Sequence, residues 1–586
     1  MDTIQPIYTK PAQCQDCYKC LRQCSVKAIK IHEGHARIEP DLCVMCGHCV
    51  KVCPVQAKAV RSDIERAKML LGVKEKVLVS LAPSYVTEFA GCGNNQIISA
   101  IKKLGFFGVS ETALGAQELS AAVAEKIAAS EKKIFISSAC PTVVELTKKY
   151  YPQYADLVMD MYSPVLVHTK LLRREYGDDI GIVFVGPCIA KKTESDLNND
   201  LLNVTLTFAE LRQWFQQAGI DPNALEPNEN EIFIPSRAQE GAMYPVDGGM
   251  IAGIKANCAV NNLQFMSFSG IKNIQKVMND LDQIKIDGPL FIELLACEGG
   301  CVNGPVAGSD GKTALKRFQI IGNTEYNDAQ IPRKASVDVN FHWPIPPVAQ
   351  IKYSEDEIRA ALEKIGKYRI EDELNCGGCG YDACRAFAEA MLDGRAEANM
   401  CVGYMRQLAH KKAAALLRSM PSGVVIVDSN LQILECNRRF AEILGKDNVL
   451  AFQAKPGMEG AHLKKVMDFH QIFSDVLHNS VDIEKDVKLE NAIIHVTVFT
   501  IEPGRLVGGI IRDITEPSVQ KERIIEKARQ VIEKNLSTVQ KIAYLLGENA
   551  AESEVILNSI VKSFMTESAD NTDGKTKSKL DNSDLE

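Results

Sequence analysis

Cysteine is the residue type whose spacing points most directly to chemistry in this sequence. Cys14, Cys17, Cys20 and Cys24 form a CxxCxxCxxxC run, and Cys43, Cys46, Cys49 and Cys53 repeat it, followed by Pro54. Thiolates at that spacing close a short loop around an iron-sulfur cubane, three of them from the loop and a fourth from elsewhere in the chain. A further group, Cys376, Cys379, Cys384 and Cys401, follows CxxCx4C with a distant fourth member. Four thiolates in that arrangement suit either a four-iron cluster or a tetrahedral zinc ion. Cys140, Cys188, Cys297 and Cys301 are spread more widely, and Cys92, Cys258 and Cys436 stand outside every group. The N-terminal stretch has no apolar core of signal-peptide length and no apolar run reaches about 18 residues. The expectation is a cytoplasmic protein away from any membrane, whose 19 cysteines stay reduced and open to metals.

The elements around these residues differ along the chain. From about Lys74 to Ile331 the texture is α/β: apolar runs of strand length, VLVSLAP, KIFISSACP, GIVFVGPC and LFIELLACEGGC, each end in a Pro, Gly or Cys cluster. Such a pattern puts site residues at strand ends. A proline-rich connector, His342 to Pro347, leads to a polar helix expected over 354–367 and then to the Cys376 group, with a covering helix expected over 383–391. The glycines of NCGGCGYDAC let backbone pass close to cluster sulfurs. After about Leu417 the cysteines give way to a strand, an Asp-Ser-Asn turn, a second strand and a helix expected over 437–444. Beyond Pro517, Ile525, Ala528, Ile532, Leu536, Val539, Ile542 and Leu546 recur at three- and four-residue steps, which suits a coiled coil or packing on the chain's own surface. The final residues are polar and lack aromatics, and are expected to be disordered.

The doubled cysteine run resembles the two-cluster bacterial ferredoxins, apart from Ser25 in place of the usual proline. In that family the fourth cysteine of each run serves the other cluster. The resemblance therefore implies one four-iron site on Cys14, Cys17, Cys20 and Cys53 and another on Cys43, Cys46, Cys49 and Cys24. A pair of zinc knuckles is the competing reading.

Three stretches resemble, in order, the signatures of the iron-only (FeFe) hydrogenases: Ser137-Ser138-Ala139-Cys140-Pro141, Gly186-Pro187-Cys188-Ile189-Ala190-Lys191-Lys192-Thr193-Glu194, and Glu293-Leu294-Leu295-Ala296-Cys297-Glu298-Gly299-Gly300-Cys301. What the resemblance implies is an H-cluster. This is a four-iron cubane on Cys140, Cys188, Cys297 and Cys301, with Cys301 bridging to a two-iron unit that carries carbonyl, cyanide and azadithiolate ligands. By the same resemblance Lys191 hydrogen-bonds a cyanide, Glu194 orients Lys191, and Pro83 and Ser84 line the pocket. A lone cysteine is more often a buried hydrophobe, but the three signatures occur together.

The departures from the family bear most on function. Productive members usually carry a cysteine immediately before the first cubane ligand to pass protons, and here that residue is Ala139. A methyl group neither donates nor accepts a proton, so slow turnover is expected. Gly186, Thr142 and Val143 also replace the usual residues. The combination resembles the sensory type of these hydrogenases.

The Cys376 group resembles a small four-iron domain of anaerobic electron-transfer proteins, and MPSGVVIVDSNLQILECNRRFAEILG with the closing Arg512-Asp513-Ile514-Thr515 resembles a PAS domain. Haem on His462 or His470 is the weaker alternative there. The expected layout is multidomain, α+β and α/β. It comprises a two-cluster ferredoxin domain (1–62), a hydrogenase catalytic domain (74–340), a small helical 4Fe-4S domain (354–412), a PAS domain (415–516), a signalling or dimerisation helix (517–565) and a disordered tail (566–586). That gives three 4Fe-4S clusters besides the H-cluster.

Size and charge are consistent with this layout. At 586 residues the chain has room for roughly three to five domains, and 46% hydrophobic residues provide their cores. A net charge of -8 argues against nucleic-acid binding. The expected function is an oxidoreductase acting on H2 and protons, slow, and used for H2 or redox sensing through the PAS domain. Its expected partners are ferredoxin or another electron carrier, maturation proteins that insert the two-iron unit, a separate signalling protein, and a second copy through the PAS domain and C-terminal helix. The alternatives are a metabolic hydrogenase, an electron-transfer subunit whose nicotinamide partner is separate, and a non-catalytic iron-sulfur assembly protein without the two-iron unit.

Overall fold

The computed structural model describes residues 5–257, 262–308, 312–327, 331, 334–349, 351–489, 492–514 and 528–535. Two compact units divide the chain: Met1–Ile358 with Glu389–Ala396, and Arg359–Ala388 with Glu397–Glu586.

The first unit begins with the doubled cysteine run. Strands β1 (Ile7–Thr9) and β4 (Lys58–Val60) pair antiparallel, as do β2 (Ile29–His32) and β3 (His35–Ile38). Ile7, Leu21, Ile29 and Ile31 form their core. The two runs wrap alike: positive φ falls at equivalent positions, Asp16 and Met45, then Tyr18 and Gly47, then Lys27 and Gln56. Alternation of this kind turns backbone N–H groups inward, toward the concavity the loop encloses.

The α/β part contains two parallel sheets. One has the order β6-β5-β8-β9, with β5 (Val77–Leu81), β6 (Gly108–Glu111), β8 (Gly181–Gly186) and β9 (Val204–Thr207). The other has the order β10-β11-β7, with β7 (Ile134–Ile136), β10 (Gln264–Ser269) and β11 (Leu290–Leu295). β5, β8 and β11 are buried at every residue, which is why their sequences read as near-continuous apolar runs rather than alternating ones, broken by Ser80 and Glu293. Because the strands of each sheet run parallel, the residues that follow them collect at one edge.

The second unit holds the Cys376 group and a five-stranded antiparallel sheet of order β13-β12-β16-β15-β14. Its strands are β12 (Gly423–Asp428), β13 (Ile433–Cys436), β14 (Ile483–Lys488), β15 (Ile493–Glu502) and β16 (Leu506–Asp513). Val425, Val427, Phe440, Phe473, Val496 and Val498 fill the core on one of its faces.

Several expected boundaries move. The polar helix is Glu355–Glu363 rather than 354–367, because Ser354 caps it, accepting from Glu357 N at 3.3 Å, and Gly366 at φ +74° ends the turn after it. The covering helix is Cys384–Leu392, and the helix expected from Asn437 starts at Arg438, with Asn437 as its cap accepting from Phe440 N at 2.9 Å. The stretch 354–412 falls across both units. Ser354–Ile358 and Glu389–Ala396 pack with the first unit, where Arg395 O accepts from Ile31 N at 2.9 Å and Tyr353 bonds Asp393. Residues 528–535 are helical with Ala528 buried. The rest of the expected 517–565 helix, the tail, Thr515 and Cys258 lie outside the described residues.

Candidate functional site

Five strand ends converge on one largely apolar cavity of about 110 Å³. β5 delivers Pro83 and Ser84, β6 delivers Thr112, β7 delivers Ala139 and Cys140, β8 delivers Cys188, and β11 delivers Glu293 from its own length. Cys301 and Lys191 complete the wall. Cys297 lines a neighbouring cavity together with Cys46 of the N-terminal runs.

Burial pushes the Cys188 thiol up to about 11, and charge at Cys140 adds to the rise. Cys297 and Cys301 are driven far higher by burial and by the other sulfurs, Cys140 and Cys188 acting on both. Four desolvated sulfurs that repel one another as thiolates form a donor set completed by multivalent cationic metal. Among the described residues, one set of three ligating atoms lies mutually within 4.8 Å, that of Cys14, Asp16 and His35. A single zinc ion holds its sulfurs at roughly 2.3 Å and so draws them within about 4 Å of each other. The four-cysteine groups are wider than that.

The N-terminal cysteines sort in the same way. Cys20 feels Cys17 and Cys14, whereas Cys43, Cys46 and Cys49 all feel Cys24, the last thiol of the other run. Backbone amides point at sulfur in matched pairs: Ala28 N donates to Cys24 Sγ at 3.3 Å and Ala57 N to Cys53 Sγ at 3.2 Å. Helix Pro141–Tyr150 starts at Cys140 and ends against the second run. There Lys149 Nζ donates to Cys43 O at 3.0 Å and Tyr150 Oη to Leu42 O at 2.6 Å. In the second unit, Cys376, Cys379, Cys384 and Cys401 line one cavity, and burial pushes Cys379 up to about 11. Of the remaining cysteines, Cys436 is buried in the core of the antiparallel sheet and donates to Gly457 O, while Cys92 is half-buried beside Gly93.

Lys191 and Glu194 sit on helix Ala190–Leu197, an (i, i+3) pair on one face. Lys191 Nζ donates to Glu194 Oε2 at 2.5 Å and to Ser163 Oγ at 2.8 Å. The ammonium is thereby aimed from two sides at the cavity wall. Ala139 lies on the same wall, its N–H donating to Ser137 Oγ at 3.2 Å.

Sequence reasoning missed Ser163 and gave Glu293 no role. The signal for Glu293 was a single acid inside an apolar strand run, LFIELLAC. Met250 N donates to its Oε1 at 3.1 Å and Ser267 Oγ to its Oε2 at 3.2 Å, yet burial still lifts the carboxyl to about 7. Since the folded state holds this proton more tightly than the unfolded chain, the group costs stability as pH rises from the ordinary carboxyl range through 7. At pH 8 the cost is about 3 kcal/mol. Glu293→Gln is expected to raise the thermal midpoint of the first unit at pH 8 and leave it nearly unchanged at pH 5. Parallel pH curves for the two proteins would refute this account of Glu293. In the second unit, His462 uses Nδ1 to accept from Lys464 N at 3.2 Å, a capping role unlike that of a haem ligand.

Comparison with known proteins fits this geometry. Residues 75–305 match the family "Iron only hydrogenase large subunit, C-terminal domain", 13–57 match a 4Fe-4S dicluster domain, 372–402 an Fe-S cluster family and 412–476 a PAS domain. The chain is 26% identical over 306 residues to iron hydrogenase 1 of Clostridium pasteurianum, covering 43% of this chain and 53% of that protein. It is 24% identical over 345 residues to the NADP-reducing hydrogenase subunit HndD of Solidesulfovibrio fructosivorans, covering 48% and 59%. The chain thus spans little more than half the length of these two relatives. A solved structure of [FeFe]-hydrogenase HydA1 from Chlamydomonas reinhardtii is 19% identical and matches 49% of this chain and 100% of that one, with a TM-score of 0.39. Among the described residues no helix is long and apolar enough to cross a membrane.

Proposed function

Given that the chain carries an iron-only hydrogenase large-subunit domain, a 4Fe-4S dicluster domain and a PAS domain, we propose that it reacts with H2 at the strand-end cavity, slowly, and serves as a sensor. The observation that carries this reading is that Ala139 lines the same wall as Cys140, Cys188, Cys301 and Lys191. Cys140, Cys188, Cys297 and Cys301 would hold a four-iron cubane, with Cys301 shared by a two-iron unit. When bound there, that group supplies the redox chemistry that splits or forms H2.

The chain's own side chains do the rest. Lys191 presents N–H donors to an anionic ligand, and Ser163 and Glu194 fix its direction so that no reorganisation is needed during reaction. Pro83 and the other apolar residues of the wall exclude water, and buried Ser84 adds one hydroxyl. Ala139 holds no proton, so the wall has no thiol to exchange protons at that point. A site that binds H2 and turns over slowly suits reporting better than metabolism.

Cys14, Cys17, Cys20 and Cys53 would hold one four-iron cluster and Cys24, Cys43, Cys46 and Cys49 another, and these groups would supply the transfer of electrons. The second of these sets shares a cavity with Cys297 through Cys46. A ferredoxin or similar carrier would supply or remove them, maturation proteins would load the two-iron unit, and a separate protein would receive the PAS signal, with a homodimer as the signalling form.

An infrared spectrum of the anaerobically matured protein tests this reading. Carbonyl and cyanide bands that move on addition of H2 are expected. Their absence, with iron content intact, would instead favour an assembly-type protein holding cubanes alone.

A further inference from the structure

We propose that the group Cys376, Cys379, Cys384 and Cys401 is the redox input that the PAS domain reads, distinct from the H2-reactive cavity, and that helix Val402–Ser419 connects the two. This rests on the reading of the chain as a sensor. It assigns the third iron-sulfur site a signalling role instead of electron relay.

These four cysteines belong to the same compact unit as the PAS sheet. They line one cavity with Val402 and Gly403, the first residues of the helix. Cys401 is therefore both a thiol of the group and the residue that starts the helix, its carbonyl accepting from Met405 N at 2.9 Å. Glycine keeps backbone close to sulfur: a Cβ on Gly378 would meet Val402 Cγ2 at 3.0 Å and Cys376 Sγ at 3.7 Å. Cys401 is buried while Cys376 is exposed, so an outside carrier can reach the group from the Cys376 side.

The helix has 18 residues, and Met405 is the one buried side chain in it. At 1.5 Å per residue it spans about 27 Å, with half-buried positions along it, among them Leu408, Ala409, Leu416 and Leu417. Its far end meets Asn437, which is 2% exposed. Asn437 Nδ2 donates to Leu417 O and to Ser422 O, each at 2.8 Å, and its Oδ1 accepts from Val424 N and Phe440 N, each at 2.9 Å. One buried amide thus joins the end of the helix, the first PAS strand and the first PAS helix.

A four-iron cluster held by the four thiolates would take one electron from a reduced low-potential carrier, itself oxidised by one electron, and so place one more negative charge among them with no bond made or broken. That charge sits at the positive end of the helix macrodipole and tightens its first turn. The gain in order is passed along the helix, which is continuous from Val402 to Ser419, and arrives at Asn437.

The test is hydrogen exchange in residues 423–436 and 506–513 of the full-length, cluster-reconstituted protein, oxidised with thionine or reduced with sodium dithionite. Reduction is expected to slow exchange there by about fivefold, the low end of ordinary coupling between sites. The triple variant Ala413→Gly, Ala414→Gly, Ala415→Gly, which interrupts the helix at half-exposed or exposed positions, should keep the iron content and reduced EPR intensity but lose the effect. Cys376→Ser should lose it together with the third cluster, and Cys301→Ala should retain it. An effect that survives the triple variant, or no effect in the parent protein, overturns the proposal. Substituting H2 for dithionite separates the two readings. If H2 has no effect in the parent while dithionite does, the H2-sensing reading fails and the redox input stands.

Discussion

Replacing Ala139 with cysteine is expected to raise H2 turnover by roughly 10²- to 10⁴-fold, the usual contribution of a positioned proton donor and acceptor. The position is half-buried on the cavity wall, next to Cys140, and its methyl group cannot hold a proton. A thiol adds one sulfur beside open space, so the change fills volume rather than forcing the wall apart. Its ordinary pKa, about 8.5, lies within reach of physiological pH. Viologen-coupled H2 oxidation by protein matched for iron content is the measurement, with Ala139→Ser as a control of similar size. A hydroxyl gives up its proton far less readily, so the control should gain little. An unchanged rate in Ala139→Cys would place proton exchange elsewhere on the wall, where Glu293 offers a carboxyl lifted to about 7.

The second large effect concerns stability. Lys192, next to Lys191 in sequence, is fully buried and points away from the cavity. Its ammonium donates to Asp63 Oδ2 at 2.8 Å, Glu210 Oε1 at 2.9 Å and Thr205 O at 3.0 Å. Arg61 bonds Asp63 Oδ1 at 3.0 Å, and both Arg61 and Arg66 reach Asp196, at 2.8 and 2.9 Å. Burial alone would raise the Asp63 pKa, but Lys192 and Arg61 more than reverse that and hold it below its ordinary value. This closed set of charges fastens helix Ala190–Leu197, which carries Lys191 and Glu194, to the segment that follows the N-terminal cysteine runs.

Lys192→Met is expected to cost about 3–5 kcal/mol, because it leaves Glu210 buried without its cation and Asp63 with Arg61 and Arg66 alone. Adding Glu210→Gln should recover much of the loss, since a neutral amide removes the stranded charge while Asp63 keeps Arg61 and Arg66. Urea unfolding of the first unit measures both. A single variant as stable as the parent would show that solvent reaches the carboxylates and that the lock does not hold.

The sequence was most informative where geometry is local. A CxxCxxC loop encloses its site within a few residues, so the paired wrapping at Asp16 and Met45 follows from the repeat itself. The apolar runs of β5, β8 and β11 were legible because a strand buried on both faces takes a polar residue only where a partner meets it, as Thr112 and His168 meet Ser80. Glu293 interrupts one of those runs and lies at the cavity, where a buried acid has a use. Asn437 was read as the first residue of a helix because capping and continuing look alike in sequence. Only its side-chain bonds to Val424 and Phe440 separate the two.

By itself, then, the sequence determined that the two N-terminal cysteine runs and the Cys376 group have metal-binding spacing, and that Ala139 has no proton to offer. Those properties belong to side-chain chemistry and short spacing. The tertiary structure alone decided that Ser163 steadies Lys191, that Lys192 turns to Asp63 while its neighbour faces the cavity, and that the Cys376 group shares a unit with the PAS sheet. These partners arrive from separate strand ends and helix ends through long crossovers, and the distance between two such ends is set by how sheets and helices stack, which no local pattern records.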